Sequence, residues 1–278
     1  MSVSASASAS AFAPLQAVLL DWAGTAVDHG CQGPMAVFVA LFERRGLPVS
    51  AAEARAPMGT HKREHIRRML DGTALGAAWE ARFGHAATAA EVDALYAEAE
   101  PLQIAVLPAH AAPIPGAREA VATLRAHGLR VGSTTGYTLP MLEVLRVAAA
   151  EKGYFPDVAV AASEVAAGRP APDLNAEALR RLGLSDPARA VAVGDTPVDM
   201  AAARAAGNWA VGCALTGNEL GLDLAGLLAL SPSARAEARD TAAARLRAAG
   251  AHVVIDGIGE LPDALRVLAA RARAGERP

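Results

Sequence analysis

Six short apolar runs, separated by stretches of helical periodicity, restrict the fold of this chain more than any other feature. The predicted strands are 17–20, 129–135, 158–161, 190–195, 209–212 and 252–255. These runs are nearly continuously apolar rather than alternating, which is typical of strands that are buried on both faces. Strands of this kind, joined by helices, form a parallel sheet that helices cover on both sides. The sequence therefore predicts an α/β fold with a doubly wound, Rossmann-like parallel sheet.

Polar side chains stand at the ends of three of these runs. Asp21 follows the first run, Thr134 and Thr135 end the second, and Asp195 ends the fourth. Open parallel sheets bind their ligands at the carboxyl ends of the strands, so we expect these side chains to meet at one rim. Asp21 is followed by a Gly-Thr turn, which is typical of a carboxylate that is presented as a nucleophile.

The segment between the first two predicted strands is too long to be a simple loop. Residues 31–110 contain no clear strand and much helical periodicity, which predicts an inserted helical cap domain over the rim. Pro113 to Gly116 marks the return to the core, because prolines and glycines interrupt helices. The predicted domains are a disordered tail of small residues over 1–14, a core over 15–30 and 111–278, and the cap over 31–110.

Charge and composition limit the partners of this chain. Its net charge of -3 and isoelectric point near 6.2 argue against electrostatic binding to nucleic acid or to an anionic membrane surface. No apolar run approaches the length of a membrane span. Its two cysteines, Cys31 and Cys213, are far apart in sequence, which favours a reducing, cytoplasmic location. The expected partner is a small molecule.

Lysine is rare in this chain, and its rarity makes Lys62 a candidate for amine chemistry. There are 24 arginines but only two lysines, Lys62 and Lys152. Arginine stays protonated and cannot form an imine, whereas a lysine with a lowered pKa can attack a carbonyl group. The alternative is that residues 61–68 form a solvated basic face. His61 and His65 have the spacing of a helical metal pair, but no third ligand motif accompanies them.

Ala23 occupies a position that decides between two interpretations of Asp21. Most phosphatases with an aspartate nucleophile have a second aspartate here, and that residue protonates the departing oxygen. Alanine cannot donate a proton. Either the catalytic function is lost, or the leaving group needs no proton from this position, and Lys62 favours the second interpretation.

Four motifs in order resemble those of the haloacid dehalogenase superfamily over almost the whole chain. Asp21 with its Gly-Thr turn resembles the nucleophile motif, and Thr135 resembles the phosphate-binding hydroxyl. Arg169, in the sequence Gly-Arg-Pro, stands where a basic residue of the superfamily binds the phosphoryl group. Asp195 and Asp199 resemble the magnesium motif.

This resemblance implies Mg²⁺ as a cofactor. The expected ligands are Asp21, the backbone carbonyl of Ala23 and Asp195, which are the oxygen donors that Mg²⁺ prefers. We expect Asp199 to support the metal through an indirect contact.

Within the superfamily, the match narrows to the phosphonoacetaldehyde hydrolase family, which cleaves a carbon–phosphorus bond and also has alanine at the position of Ala23. The matching segments are 21–25, 31, 57–59 with 62 and 65, 132–137 and 167–170. The resemblance implies that Lys62 forms a Schiff base with the substrate and that His65 is a candidate proton carrier. Arg169 joins Asp21 among the expected catalytic residues. The expected substrate contacts are Cys31, Met58, Gly59, Thr135, Gly136 and Tyr137.

The expected reaction converts phosphonoacetaldehyde to acetaldehyde and phosphate. Expulsion of a bare carbanion is prohibitive, so the carbon needs an electron sink, which an imine on Lys62 supplies. Asp21 then attacks phosphorus, and water hydrolyses the aspartyl phosphate. The alternatives are another phosphohydrolase or dehalogenase of the superfamily, or a catalytically inactive protein that binds a phosphorylated metabolite.

Some of these residues also have simpler interpretations. Cys31 has the properties of a small buried apolar residue, and Met58 could serve only in cap packing. The family resemblance also implies a homodimer. We expect the apolar cap helix with Val37, Phe38 and Phe42 to form its interface.

Overall fold

The computed structural model describes residues 10–278 and contains a six-stranded sheet. The strands are β1 Ala17–Leu20, β2 Arg130–Thr135, β3 Val158–Ala161, β4 Ala190–Gly194, β5 Trp209–Cys213 and β6 Val253–Ile255. Their order is β3-β2-β1-β4-β5-β6, and every pairing is parallel. Each strand lies where the sequence predicts it, with limits shifted by at most one residue. The predicted α/β fold with a doubly wound parallel sheet is confirmed.

Strand β1 explains why the strands are continuously apolar. Val18 and Leu20 point into one hydrophobic cluster, whereas Ala17 and Leu19 point into a second cluster on the opposite face of the sheet. Since helices cover both faces, neither set of alternate positions reaches water. A polar residue at any of these positions would lose its hydration, so the run stays apolar until the strand ends.

Twelve α-helices surround the sheet and fill the long insertion within residues 10–278. They are α1 Gln32–Glu43, α2 Ala51–Arg55, α3 Lys62–Leu70, α4 Ala74–Phe83, α5 Ala89–Val106, α6 Ala117–Ala126, α7 Leu139–Glu151, α8 Asp173–Arg181, α9 Pro197–Ala205, α10 Leu224–Ala229, α11 Pro232–Ala248 and α12 Leu261–Arg273. Helices α6, α7 and α12 pack on one face of the sheet, and α8, α9 and α11 pack on the other. Within the described residues, no helix combines the length and apolar character needed to cross a bilayer.

Helices α1 to α5 lie between β1 and β2 and have a hydrophobic cluster of their own. This separate cluster supports a cap domain over residues 31–110, and its exact boundaries stay a prediction. Val37, Phe38 and Phe42 belong to the cluster and are 5%, 0% and 0% exposed. The expected dimer interface cannot rest on these three side chains, because they are already covered within the chain. An interface through the other face of α1 stays a prediction.

The first described residues pack on the core, although their small side chains predict a disordered tail. Phe12 is fully buried, and its ring lies edge-on to that of His127 with centroids 4.8 Å apart. The Ser10 hydroxyl donates to the His127 carbonyl at 2.9 Å. One aromatic side chain thus anchors residues 10–14 to the core. The rest of the predicted tail, residues 1–9, lies outside the described residues.

Candidate active site

The central position of β1 creates a crevice at the carboxyl end of the sheet. From β1 the chain continues to β2 and β3 on one side, and it then crosses to β4 on the other side. Such a reversal of direction opens a binding crevice at the strand ends. Leu20 pairs in register with Ser133 and Val193, so the three strands end close together. The structure accordingly brings Asp21, Thr135 and Asp195 to one rim.

A small pocket lies between this rim and the cap. Its volume is about 20 Å³, roughly the room that one water molecule needs. All of the predicted site residues line it except His65 and Asp199. The lining residues are Asp21, Ala23, Cys31, Pro34, Met58, Gly59, Lys62, Thr135, Gly136, Tyr137, Arg169, Asp195 and Thr196. Residues of the cap and of the core thus line the pocket together.

Three buried carboxylates form an acidic cluster at the rim. Asp21, Asp195 and Asp199 each offer an oxygen, and these atoms lie within 4.8 Å of one another. Burial raises the pKa of Asp21 to about 6, against the opposing effect of Arg169. Burial, together with Asp21 and Asp199, also raises the pKa of Asp195 well above its usual range. Burial and the mutual repulsion of the carboxylates thus both disfavour the charged forms of Asp21 and Asp195.

The guanidinium of Arg169 bridges two members of this cluster. Its Nη1 lies 2.6 Å from Asp21 Oδ1 and 2.7 Å from Asp199 Oδ1. Its Nη2 donates to the carbonyl and hydroxyl oxygens of Thr134 at 3.0 and 2.6 Å. Burial lowers the pKa of Arg169, but the two carboxylates more than offset this effect and raise it overall. Arg169 is thus held as a cation beside the candidate nucleophile.

The acidic cluster fits a divalent cation. Buried carboxylate oxygens are the donors that Mg²⁺ prefers, and the charge of one guanidinium does not balance three carboxylates. Asp199 Oδ2 accepts from the backbone and the hydroxyl of Thr196, which leaves Oδ1 directed at the cluster. That oxygen is close to Arg169 but has no well-aligned hydrogen bond. Asp195 Oδ2 accepts from the backbone N–H of Asn218 at 2.7 Å.

Lys62 begins helix α3 and reaches the pocket from the cap side. The residue is 4% exposed, and Nζ lies 3.9 Å from Met58 Sδ. Nζ also lies over the rings of Tyr137 and Phe38, at 4.8 and 5.8 Å from their centroids. Among the described residues, no carboxylate forms an ion pair with it. Burial lowers the pKa of Lys62 from 10.5 to about 8.

The alternative of a solvated basic face holds only for part of residues 61–68. Arg67 and Arg68 are exposed and form ion pairs with Glu64 on the same helix. Lys62 and His65 lie on the opposite, buried side of the helix. The helix therefore has solvated cations on one face and a buried amine on the other.

His65 lies outside the residues that line the pocket. Its Nε2 is 2.8 Å from the Ala54 carbonyl oxygen, and its ring stacks on Phe38 with centroids 4.0 Å apart. Because a carbonyl only accepts, Nε2 holds the hydrogen, and Nδ1 has no partner within the described residues. Burial lowers the pKa of His65 well below its usual range, so the ring is neutral. The role of proton carrier stays a prediction.

Cys31 connects the cap to the acidic cluster. It precedes α1 in the left-handed conformation with φ 53°, and its thiol donates to Asp195 Oδ2 at 3.3 Å. Burial raises the pKa of this thiol well above its usual range, and the nearby carboxylates add to the effect. Cys31 therefore contacts the site as a neutral thiol.

Two glycines allow the cap to rest directly on the rim. A Cβ on Gly136 would lie 2.7 Å from the carbonyl oxygen of Thr60 in the cap. Gly59 has φ +88°, and a Cβ there would lie 2.6 Å from the Thr196 hydroxyl. Side chains at either position would separate cap from core, since contacts this short do not occur.

Two residues that support the acidic cluster were not singled out from the sequence. The Thr25 hydroxyl donates to Asp195 at 3.4 Å, and the backbone N–H of Asn218 donates to the same carboxylate. Thr134, which was expected at the rim, accepts from Arg169. Thr25 lies in the Gly-Thr turn after Asp21, so its position carried a signal. Asn218 follows β5, whose carboxyl end reaches the same rim, but its loop has no distinguishing pattern.

The fold and the site are those of a haloacid dehalogenase-like hydrolase, and the family model of that description matches residues 15–207. The chain is 49% identical over 265 residues to phosphonoacetaldehyde hydrolase from Nitratidesulfovibrio vulgaris (strain DSM 19637 / Miyazaki F), with 95% of each chain covered. It is 42% identical over 266 residues to the enzyme of the same name from Klebsiella pneumoniae, which covers 95% of this chain and 99% of that one. The chain belongs to this phosphonoacetaldehyde hydrolase family and is an enzyme.

A solved structure agrees with this assignment. The phosphonoacetaldehyde hydrolase like protein from Oleispira antarctica superimposes with a TM-score of 0.93 at 38% sequence identity. The comparison covers 95% of this chain and 96% of that one. The similarity thus extends over the cap as well as the sheet.

Proposed function

We propose that the protein hydrolyses the carbon–phosphorus bond of phosphonoacetaldehyde, through a Schiff base on Lys62 and an aspartyl phosphate on Asp21. The names of the relatives support this substrate. The observation that carries the mechanism is a buried amine of lowered pKa that lines the same small pocket as a buried carboxylate. Hydrolysis of a phosphate ester requires no such amine.

The first step joins the Lys62 amine to the substrate aldehyde. With a pKa of about 8, about one-tenth of the amine is unprotonated at pH 7, enough to attack a carbonyl carbon. The carbonyl oxygen leaves as water, and the resulting iminium nitrogen is positively charged. The rings of Tyr137 and Phe38 near Nζ stabilise that charge. His65, through its free Nδ1, is the proposed proton carrier for this dehydration.

In the second step, Asp21 attacks phosphorus. Its pKa of about 6 leaves it largely ionised at neutral pH. The electron pair of the carbon–phosphorus bond moves into the iminium, so the leaving group is an enamine rather than a carbanion. Arg169 binds the phosphonate oxygens and gives up part of its contact with Asp21, which frees Oδ1 for the attack. When bound, Mg²⁺ neutralises the phosphonate oxygens and the buried carboxylates.

The remaining residues of the pocket hold the substrate and the cofactor. Proposed metal ligands are Asp21, the Ala23 carbonyl and Asp195, with Asp199 close by. We assign contacts with the substrate to Cys31, Met58, Gly59, Thr135, Gly136 and Tyr137.

The final steps regenerate the enzyme. Protonation of the enamine carbon returns the imine, and its hydrolysis releases acetaldehyde from Lys62. Water separately hydrolyses the aspartyl phosphate, an acyl phosphate, which releases phosphate and restores the Asp21 carboxylate. Because carbon rather than an alkoxide departs, a proton donor at position 23 would serve no purpose, which agrees with Ala23.

The alternative of an inactive protein that binds a phosphorylated metabolite does not agree with the relatives of this chain, which are named as hydrolases. We further propose that the protein is cytoplasmic, in keeping with its two buried, free cysteines, and that it forms a homodimer as the family resemblance implies.

Trapping of the imine tests the proposed function. Borohydride added with phosphonoacetaldehyde should inactivate the enzyme and leave a reduced two-carbon adduct on Lys62, located by peptide mass spectrometry. Lys62→Arg keeps the charge and should lose nearly all turnover. Lys152→Arg, which changes the only other lysine, should keep both turnover and adduct. An active preparation without an adduct on Lys62 would falsify the imine.

A further inference from the structure

A larger cavity adjoins the catalytic pocket at the boundary between cap and core. Its volume is about 430 Å³, and it shares Met58 and Thr196 with the catalytic pocket. The catalytic pocket itself is much smaller, with about 20 Å³. The shared residues place this second space, which we call the entry cavity, directly behind the wall of the catalytic pocket.

Arg55 supplies a positive charge without an ion pair in the entry cavity. It ends α2 in the cap, and no described side chain forms an ion pair or hydrogen bond with its guanidinium. Its Nε is buried and has no hydrogen-bond partner among the described residues. Burial lowers the pKa of Arg55. A half-buried arginine without an anion is unfavourable unless a ligand provides one.

The surrounding loop of the core is shaped to accept this arginine. Gly221 has φ +67°, and a Cβ there would lie 2.7 Å from Arg55 Cζ. Asn218 donates its side-chain N–H to the Arg55 carbonyl at 3.3 Å and its backbone N–H to Asp195 at 2.7 Å. The same loop residue thus contacts both Arg55 and a proposed metal ligand. This contact joins the entry cavity to the acidic cluster.

The second arginine of the cavity is already paired. Arg245 Nη1 lies 3.2 Å from Glu219 Oε2, and both residues line the same space. The lining therefore has one excess positive charge, and Arg55 holds it.

We propose that the entry cavity binds tetrahedral phosphorus oxyanions, with Arg55 as the residue that recognises them. The planar guanidinium fork matches two oxygens of a phosphonate or phosphate group. The ligand would be the phosphonate of the incoming substrate and the phosphate product as it leaves. The identity of the substrate rests on the proposed function, whereas the binding of phosphate does not.

Steady-state kinetics of Arg55→Met in the full chain with Mg²⁺ test this inference. We expect KM for phosphonoacetaldehyde and the inhibition constant of inorganic phosphate each to rise about tenfold, with kcat changed less than about twofold. Arg55→Lys should recover part of both losses. Arg44→Met removes the same charge from an exposed position of the cap and should behave as wild type. The decrease of kcat/KM with ionic strength should be shallower in Arg55→Met than in wild type.

Two results would overturn the inference. Unchanged KM and phosphate inhibition in Arg55→Met would show that the cavity binds no phosphorus oxyanion. A fall in kcat alone would make Arg55 a structural contact between cap and core. Calorimetric titration with inorganic phosphate separates this inference from the proposed function. If phosphonoacetaldehyde is not turned over but Arg55→Met still binds phosphate more weakly, the inference stands and the proposed function falls.

Discussion

Replacing Lys62 with methionine should make the protein more stable while it removes catalysis. The amine is buried beside Met58 Sδ and the rings of Phe38 and Tyr137, without an ion pair. A protonated amine in such a place loses hydration that the protein does not replace. Methionine is also unbranched and adapts well to irregular apolar spaces, so it should fill the position without strain.

The size of the gain follows from the pKa of Lys62. Folding lowers it from 10.5 to about 8, so the unfolded chain binds the proton more tightly. Below pH 8 both states are protonated, and the difference destabilises the folded state by about 3 kcal/mol. As the pH rises above 8, the folded protein loses the proton of Lys62 while the unfolded chain still holds it, and the penalty decreases. Above pH 10.5 both states are neutral and the penalty is gone. Lys62→Met should therefore gain up to about 3 kcal/mol at pH 7 and clearly less at pH 9.

Denaturant unfolding at pH 7 and pH 9 measures this gain. Lys152→Met is the matched control, because Lys152 is exposed and its replacement should change the free energy of unfolding by less than about 0.5 kcal/mol. The reasoning is refuted if folded Lys62→Met is no more stable than wild type at pH 7. That result would mean that neighbouring groups compensate the lysine charge in the folded state and that its pKa is near the ordinary value.

Two further predictions concern the metal and position 23. Asp195→Asn should abolish Mg²⁺-dependent turnover. Asp199→Asn should raise the Mg²⁺ concentration for half-maximal activity by about 10- to 100-fold. Full activity of metal-free enzyme in chelator would exclude the metal assignment. Ala23→Asp should lower the ratio of the turnover rate with phosphonoacetaldehyde to the turnover rate with a simple phosphate ester, both measured in one preparation. The new carboxylate repels the phosphonate, whereas its protonated form can protonate a departing alkoxide. Faster turnover of phosphonoacetaldehyde by this variant would contradict our interpretation of Ala23.

The sequence alone was enough to predict the sheet, because burial on both faces restricts the residue types that a strand can contain. Each strand of this kind excludes polar side chains along its length, and the first polar residue after it marks the rim. Asp21 and Asp195 were found in this way. The rarity of lysine likewise singled out Lys62 before any distance was known.

The sequence could not show which surface covers an apolar side chain. The same apolar pattern is expected for an exposed dimer face and for a buried cap core, and it is found at Val37, Phe38 and Phe42. Only the packing of α1 against the other cap helices shows that these side chains belong to the cap core. For the same reason, Phe12 was not separated from the small residues of the tail around it. An apolar side chain is expected to be buried, but its hydrophobicity does not determine which surface covers it.

Contacts between distant segments were decided only by the tertiary structure. The bridge from Arg169 to Asp21 spans 148 residues, and the contact of Asn218 with Asp195 joins a loop that has no motif to the acidic cluster. The lowered pKa of Lys62 has the same origin, because desolvation depends on what the whole fold places around the amine. Sequence determined which chemical groups this protein has and at which strand ends they stand. Distance, burial and charge balance among those groups exist only once the cap closes on the core.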